Sequence, residues 1–474
     1  MSEPRPSIHY RTLSDLLVSI HPAEGGTLNE QIVSKGTKTL RERLVSKRPQ
    51  CLSTITIALA VVLFCPGAKA EDQTTLTWKD CLVTAAQNHP NLISAQEVIK
   101  QREAAKDIAA SGLLPQVSAE AAASRARNGI GIGKAGTNDS YTYGVSAQQL
   151  LFDGFKKINN TKSASLGIDA ATEQFKFTSG QVRYNLRTAF VDLLRAQEMV
   201  KTTQEIVDLR KQEVDLITLR YQSGLEHRGA LLTTQANLAQ ADFELAQAKR
   251  DIRLFQRELA VAMGWDDFKP LIADGDLAIT NDDPNLPDFD NLVNTQPQFL
   301  AAIAKSNGAG YDLKAAYGDF FPQIMAAAGY SKSDTNWPPS QTGWNTGVSL
   351  NLPLFEGGLR LAQVREAKAA QAQDIADEHS TRNSLVFALE KTWTDWRDAV
   401  EMVTVDAKVL EAADQRREIA EEQYSIGSIS YDNYIIIVND FVNAKKADLN
   451  AKANALYTQA NWVYAKGETL EYVE

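Results

Sequence analysis

The chain has 474 residues, of which 44% are hydrophobic and 23% charged. This composition is that of a folded protein, and it excludes a disordered or collagen-like chain. Residues 1–70 carry nine basic and five acidic side chains, which leaves 40 basic and 54 acidic side chains in residues 71–474. That acidic excess is unsuited to a phosphate backbone, so nucleic acid is not an expected partner.

The first 70 residues have the pattern of a secretory signal. Six basic side chains lie between Lys35 and Arg48, an uncharged run of 15 residues follows up to Cys65, and Ala68-Lys69-Ala70 comes next. A basic flank, a short apolar run and an A-x-A site predict a signal peptide with cleavage near Ala70. A membrane-spanning helix is disfavoured, because the run would rise only about 22 Å. Cys81 then remains as a lone thiol, without an internal disulfide.

Beyond residue 70, the chain repeats itself once. Three motifs recur in the same order, at offsets of 207, 203 and 203 residues: 114–117 and 321–324, 151–154 and 354–357, 221–224 and 424–427. Conserved order and spacing indicate a duplicated unit of about 200 residues. We therefore expect an N-terminal extension and signal peptide at 1–70, a first unit at 71–265, an acidic linker at 266–290 and a second unit at 291–474.

Each unit contains long segments that are free of helix breakers. No proline lies between Pro115 and Pro270 or after Pro353, and residues 359–426 contain neither proline nor glycine. Such a segment can form a helix of about 100 Å, which needs partners along its side. A seven-residue period of mostly apolar side chains predicts coiled-coil packing. Its members are Leu186, Leu193, Val200, Val207, Val214 and Tyr221, then Leu389, Trp396, Val403, Leu410 and Tyr424, with Arg417 interrupting the second series.

A hairpin of strands is predicted ahead of each long helix, at about 114–152 and 321–355. Residues 141–148 alternate between apolar or aromatic and small or polar side chains, and residues 344–352 do the same. Strands of ten to twelve residues can cross a membrane at a tilt. An interfacial girdle is predicted from the aromatic residues near the strand ends, which are Tyr141, Tyr143, Phe152, Tyr330, Trp337, Trp344 and Phe355.

Four strands per chain are too few to form a barrel alone. An open sheet in lipid would leave backbone groups without hydrogen-bond partners, so the barrel has to be shared between chains. Eight strands from two chains and twelve from three chains would both close.

In these features the chain resembles outer-membrane efflux proteins of the TolC family. The resemblance rests on Asn88-His89-Pro90, Gly112–Gln116, Pro353–Gly358 and two tip motifs, Tyr221–Leu225 and Tyr424–Ser428. It implies an α+β membrane protein with a two-fold internal repeat. In that fold, a homotrimeric twelve-stranded β-barrel in the outer membrane continues as a long coiled-coil α-helical barrel across the periplasm.

The same resemblance implies an exit duct for drug efflux or type I secretion, docked to a periplasmic adaptor protein and an inner-membrane pump. The cargo is left open. Two positions depart from the family pattern. Leu150 replaces a proline before the first strand-to-helix crossing, and Asn433 and Ile436 occupy the positions of a spaced aspartate pair.

Two sets of candidate site residues follow. The adaptor-docking tips are Tyr221, Ser223, Gly224, Leu225, Tyr424, Ile426, Gly427 and Ser428, where glycine permits a sharp helix-to-helix turn. The periplasmic aperture is assigned to Asp432 and Asn433, with Glu226 as the next candidate, because symmetry-related carboxylates attract cations. The structural alternatives are a helix C-cap at each glycine and an N-cap at Ser430 or Asp432.

No enzyme, cofactor or metal site is expected. Gly131–Gly136 matches a dinucleotide motif but leads into a strand rather than a helix. His89, His227 and His379 lack a companion at metal-ligand spacing. The alternative function is a trimeric adhesin with a shared β-barrel anchor, whose strands would however be consecutive and C-terminal.

Overall fold

The computed structural model describes residues 74–128, 136–279 and 285–471. The signal segment with Ala70 and most of the Gly131–Gly136 motif lie outside this range. The first half contains β1 (Thr74–Thr77), α1 (Trp78–Asn88), α2 (Pro90–Ser111), β2 (Gln116–Asn128), β3 (Gly136–Phe152), α3 (Lys156–Gln222) and α4 (Arg228–Ala262). The second half contains β4 (Leu271–Asp274), α5 (Phe289–Leu292), α6 (Pro297–Gly318), β5 (Gln323–Asp334), β6 (Gln341–Asn351), α7 (Leu359–Ser425) and α8 (Tyr431–Ala465).

The long uninterrupted helices predicted from the absence of proline are confirmed. Helices α3 and α7 each have 67 residues, and the helices that return from them, α4 and α8, each have 35. None of the helices in the described residues combines the length and hydropathy that a transmembrane helix requires.

The helices form two tiers with the same lateral order. Next to the sheet, α2 packs on α3, α3 on α6, and α6 on α7. Farther from the sheet, α4 packs on α3, α3 on α8, and α8 on α7. One side of the chain therefore ends in α2 and α4, and the other side ends in α7.

The four long strands form one antiparallel sheet in the order β2-β3-β5-β6. Strands β2 and β3 have 13 and 17 residues, longer than the expected ten to twelve. The ladder continues past Ala126 to Asn128 and Gly136, and Arg125 binds Asp139 through two hydrogen bonds of 2.6 and 2.8 Å across it. Within the described residues, strands β2 and β6 each have no neighbouring strand on their outer side.

The register gives the sheet one apolar and one polar face. Directly paired residues point to the same side, so Ala119, Val145, Tyr330 and Trp344 form one row of side chains on the apolar face. Apolar positions of all four strands thus fall on one side and small or polar positions on the other. This alignment depends on pairing between the two hairpins, which the alternation within each strand did not specify.

The heptad series predicted for α3 is buried only in the first part of the helix. Leu186, Leu193 and Val207 are at most 1% exposed, but Tyr221 is 40% exposed. Near the tip the buried positions are instead Arg210, Glu213 and Ile217. A straight α-helix drifts about 20° per heptad, and α8 replaces α6 as its neighbour, so the buried stripe rotates around the helix.

A second, smaller sheet lies near the middle of the chain. Strand β1 pairs in parallel with β4, which falls within the residues predicted as an acidic linker. Leu271 of β4 joins the largest apolar cluster, together with Cys81, Phe190 and Met263. Burial raises the pKa of the Cys81 thiol to about 12, so this thiol stays protonated and unreactive.

Candidate functional site at the interhelical tips

Both predicted tips are sharp turns between antiparallel helices. Gly224 and Gly427 have φ angles of +74° and +76°. The amide of Leu225 donates to the carbonyl of Arg220 at 2.9 Å, and the amide of Ser428 donates to that of Gln423 at 2.8 Å. These are the hydrogen bonds of a Schellman helix terminus, which requires a left-handed residue. The helix termini by themselves therefore explain why glycine occupies both positions, independently of any partner.

The surface of the two tips is open and partly apolar. Leu225 and Ile426 are 67% and 80% exposed, although both are large hydrophobic residues. A Cβ atom added at Gly224 or Gly427 would meet no atom within 4 Å. The tips therefore present apolar side chains and unobstructed glycines that no described part of the chain covers.

The two tips are joined by Tyr424. This residue is 1% exposed, and its hydroxyl donates a hydrogen bond of 2.7 Å to Glu226 in the first tip. Its ring stacks on Tyr434 of α8 with centroids 4.8 Å apart, and the Arg220 guanidinium lies 4.5 Å from the ring centroid. Arg220 also donates to the carbonyl of Ser425 at 3.1 Å. Both hairpins therefore contribute to one cluster.

Burial raises the pKa of the Tyr424 hydroxyl above its usual range, and the adjacent Glu226 carboxylate adds to this shift. Burial likewise raises the pKa of Tyr434. Both hydroxyls therefore stay neutral at physiological pH, which suits donation from Tyr424 to a carboxylate.

The aperture candidates differ in their surroundings. Asp432 and Asn433 are exposed in the first turn of α8. The Ser430 hydroxyl accepts a hydrogen bond from the Asn433 amide at 3.4 Å, so Ser430 is the N-cap. The Glu226 side chain is only 10% exposed and bound to Tyr424, whereas Asp432 faces solvent.

A polar group between α3 and α8 was not found from the sequence. Arg210 donates to Glu213 at 2.9 Å and to Asn439 at 2.6 Å, and the first two residues are at most 5% exposed. Burial raises the pKa of Glu213 despite the nearby arginine. The sequence signal was available, because Arg210 and Glu213 are one turn apart on a segment with apolar periodicity. Asn439, however, lies 229 residues away.

Two of the three scattered histidines begin helices. His89 accepts a hydrogen bond from the Asn91 amide at 3.2 Å, and His227 accepts one from the Ala230 amide at 3.1 Å. Burial lowers the pKa of His89, which favours the neutral ring that accepts this bond. In the described part of the chain, no three His, Cys, Asp or Glu side chains are grouped to hold a metal ion.

The described chain thus combines long paired helical hairpins with one four-stranded sheet. The chain belongs to the outer membrane efflux protein family, whose model matches residues 81–265 and 290–465. The resemblance drawn from the motifs is thereby confirmed. Members of this family are channel proteins, and this chain is an outer-membrane efflux channel protein that extends into the periplasm.

Individual relatives support the same assignment. The outer membrane efflux protein BepC of Brucella suis is 24% identical over 396 residues, which are 81% of this chain and 84% of BepC. The alkaline protease secretion protein AprF of Pseudomonas aeruginosa is 26% identical over 239 residues, 48% of this chain and 49% of AprF.

The fold agrees with solved structures of outer-membrane proteins. The CmeC outer membrane channel of Campylobacter jejuni superposes with a TM-score of 0.74 at 17% identity, over 84% of this chain and 87% of CmeC. The outer membrane protein VceC of Vibrio cholerae superposes with a TM-score of 0.72 at 19% identity, over 83% of this chain and 97% of VceC.

Proposed function

We propose that three copies of this chain form the exit duct of a tripartite efflux or type I secretion system. The observation that carries this proposal is the pair of open sheet edges. Strands β2 and β6 present unpaired backbone groups on opposite sides of the sheet, and in a bilayer these groups need partners. Pairing β2 of one copy with β6 of the next satisfies both edges.

The helices support the same arrangement. The side of the chain that ends in β2 also ends in α2 and α4, and the side that ends in β6 also ends in α7. Different surfaces on the two sides favour head-to-tail contacts, which bury both edges when the copies close into a ring. Three copies give twelve strands, the number that the family resemblance implies.

Two aromatic groups mark the extent of the sheet in the membrane. Near the hairpin loops, the ring centroid of Trp337 lies 6.0 Å from that of Tyr141 and 6.4 Å from that of Tyr143. At the helical end, the ring centroid of Phe152 lies 5.5 Å from that of Phe155 and 6.4 Å from that of Phe321. The strand from Tyr143 to Phe152 covers about 22–25 Å of height at a 35–45° tilt, which fits the apolar band of an outer-membrane barrel.

The polar face of the sheet then lines the duct, and the apolar face contacts lipid. The exposed residues Leu225 and Ile426 place an apolar surface at the far end of the helices, where a periplasmic adaptor would bind. Asp432 and Asn433 would form rings near the aperture. The adhesin alternative is abandoned because the chain belongs to the efflux family.

The cargo is a separate question from the duct. One relative is named for the secretion of alkaline protease, and another, CusC of Escherichia coli, is named as a cation efflux system protein. The same fold thus accompanies different cargoes, and crosslinking that identifies the inner-membrane pump would narrow the choice.

The shared barrel is tested by photocrosslinking at two residues that face each other. Thr346 of edge strand β6 pairs with Ala328 of inner strand β5. A photoreactive amino acid at position 346 should crosslink one chain to the next in outer membranes, and heat should dissociate the uncrosslinked trimer. At position 328, both neighbouring strands belong to the same chain, so the matched variant there should give crosslinks within one chain. Crosslinks confined to one chain at both positions would contradict the proposal.

A further inference from the structure

The polar face of the four-stranded sheet has a single ionisable side chain among the residues described. It is Glu120 of β2, to which the proposed function assigns no role. The remaining side chains on this face are mainly those of Ser, Thr, Asn, Gln, Gly and Ala. The charged side chains on the opposite face, Arg125, Arg127, Asp139, Lys332 and Asp334, all lie toward the hairpin loops. Among the described residues of the sheet, Glu120 is therefore the charged side chain that lies away from the hairpin loops.

Among the described residues, no charged side chain lies across the sheet from Glu120. It pairs directly with Gly144, and the same row continues through Ser331 to Gly343. Glu120 is itself exposed. A carboxylate at this depth would be costly in contact with lipid, so its position supports a water-filled space on the polar face.

The glycine opposite Glu120 keeps that space open. A Cβ atom at Gly144 would lie 2.7 Å from the Tyr330 carbonyl oxygen and 2.8 Å from the Ser331 Cβ atom. Larger residues at position 144 would therefore force the inner strands to shift. With glycine there, no side chain covers the carboxylate from the neighbouring strand.

We infer that the three Glu120 carboxylates of the assembled duct form a ring that gives the membrane-embedded lumen a negative potential, which favours cationic over anionic solutes of equal size. This inference rests on the proposed shared barrel. Walls of low dielectric surround the lumen and concentrate the field of fixed charges. Salt screens the effect, since the Debye length falls from about 30 Å at 0.01 M to about 3 Å at 1 M. The ring thus acts as a weak, salt-dependent filter.

Reporter cysteines measure this potential without depending on how the periplasmic end closes. Ala122 is exposed on the polar face, two residues from Glu120. Ala121 is its neighbour on the apolar face, where it pairs with Tyr143. The native Cys81 is 0% exposed and supplies no background labelling. The variants Ala122→Cys and Ala121→Cys are purified as mature protein in lipid vesicles. They are then treated with cationic or anionic methanethiosulfonate reagents of similar size.

The expected result is that Ala122→Cys reacts and Ala121→Cys, in contact with lipid, does not. The cationic reagent should react faster, and adding Glu120→Gln should lower the cation-to-anion rate ratio about two- to fourfold in ~10 mM salt and less than twofold in ~1 M salt. Adding Ser124→Glu to the Glu120→Gln chain should restore part of the ratio, because position 124 is on the same face.

The possible failures are distinguishable. If Ala122→Cys reacts but its rate ratio does not change with Glu120→Gln, the charge ring is wrong and the shared barrel stands. If Ala122→Cys does not react with either reagent, the polar face does not line a water-filled lumen, and both proposals are overturned.

Discussion

The hydroxyl of Tyr424 donates a 2.7 Å hydrogen bond to the Glu226 carboxylate and thereby joins the end of α7 to the turn that follows α3. The two residues are 198 positions apart in the sequence. We expect Tyr424→Phe to destabilise the protein by about 1–3 kcal/mol per chain, because a charged acceptor loses its donor. Thermal unfolding of the purified protein measures this change. Glu226→Gln keeps an acceptor at the site and should cost less, and equal losses in both variants would contradict this explanation.

The buried tyrosines predict a dependence of stability on alkaline pH. The pKa values of Tyr424, Tyr434 and Tyr457 are all raised above the usual value near 10, mainly by burial. Below pH 10 these hydroxyls are protonated in both states. Above it, the unfolded chain loses protons that the folded chain retains, so stability falls as pH rises. Denaturant unfolding from pH 8 to 11 should show this fall, with a smaller slope in Tyr424→Phe.

Two glycines with the same backbone conformation should differ in their response to alanine. Gly224 and Gly264 have φ angles of +74° and +77°, but only Gly264 is closely packed. A Cβ atom at Gly264 would lie 2.8 Å from the Asn88 carbonyl oxygen, whereas one at Gly224 meets open space. Gly224→Ala should cost about 1–2 kcal/mol from strain alone, and Gly264→Ala should cost about 1–3 kcal/mol more. Equal unfolding free energies would show that packing does not matter at Gly264.

The open space around the tip glycines makes a test of docking possible. A Cβ atom at Gly224 or Gly427 meets no described atom within 4 Å, so Gly224→Leu and Gly427→Leu should still fold and assemble, with a loss of stability from the positive φ. We expect export to be lost, because the added side chain would block a close partner. Gly224→Asn, which tolerates a positive φ, serves as the control and should retain more activity. Drug resistance and cargo secretion in a deletion strain report the result, and normal export in both leucine variants would leave only the capping role.

The exposed carboxylate at the start of α8 should control the binding of cations at the periplasmic end. Asp432 faces solvent, whereas Glu226 is occupied by Tyr424. Three copies of Asp432 would form a ring that binds multivalent cations. Single-channel conductance with a trivalent cation added on the periplasmic side should show block in the parent and weaker block in Asp432→Asn. Unchanged block in Asp432→Asn together with loss of block in Glu226→Gln would assign the ring to Glu226 instead.

The sequence by itself determined the elements of this protein, because their causes are local. The absence of proline and glycine over residues 359–426 allows the 67-residue helix that is observed, and alternation over residues 344–352 indicates the strand observed at Gln341–Asn351. Gly224 and Gly427 indicate turns because a left-handed residue is needed at a helix end.

Only the tertiary structure decided which of two residues with the same sequence context is buried and which is exposed. Tyr221 and Tyr424 occupy matching positions of two similar sequence motifs, yet the first is 40% exposed and the second 1% exposed. Tyr424 is enclosed by Arg220, Glu226 and Tyr434, which come from other elements. A periodic pattern specifies a face of a helix, but what covers that face depends on contacts about 200 residues away. Such contacts form only when the two hairpins pack together.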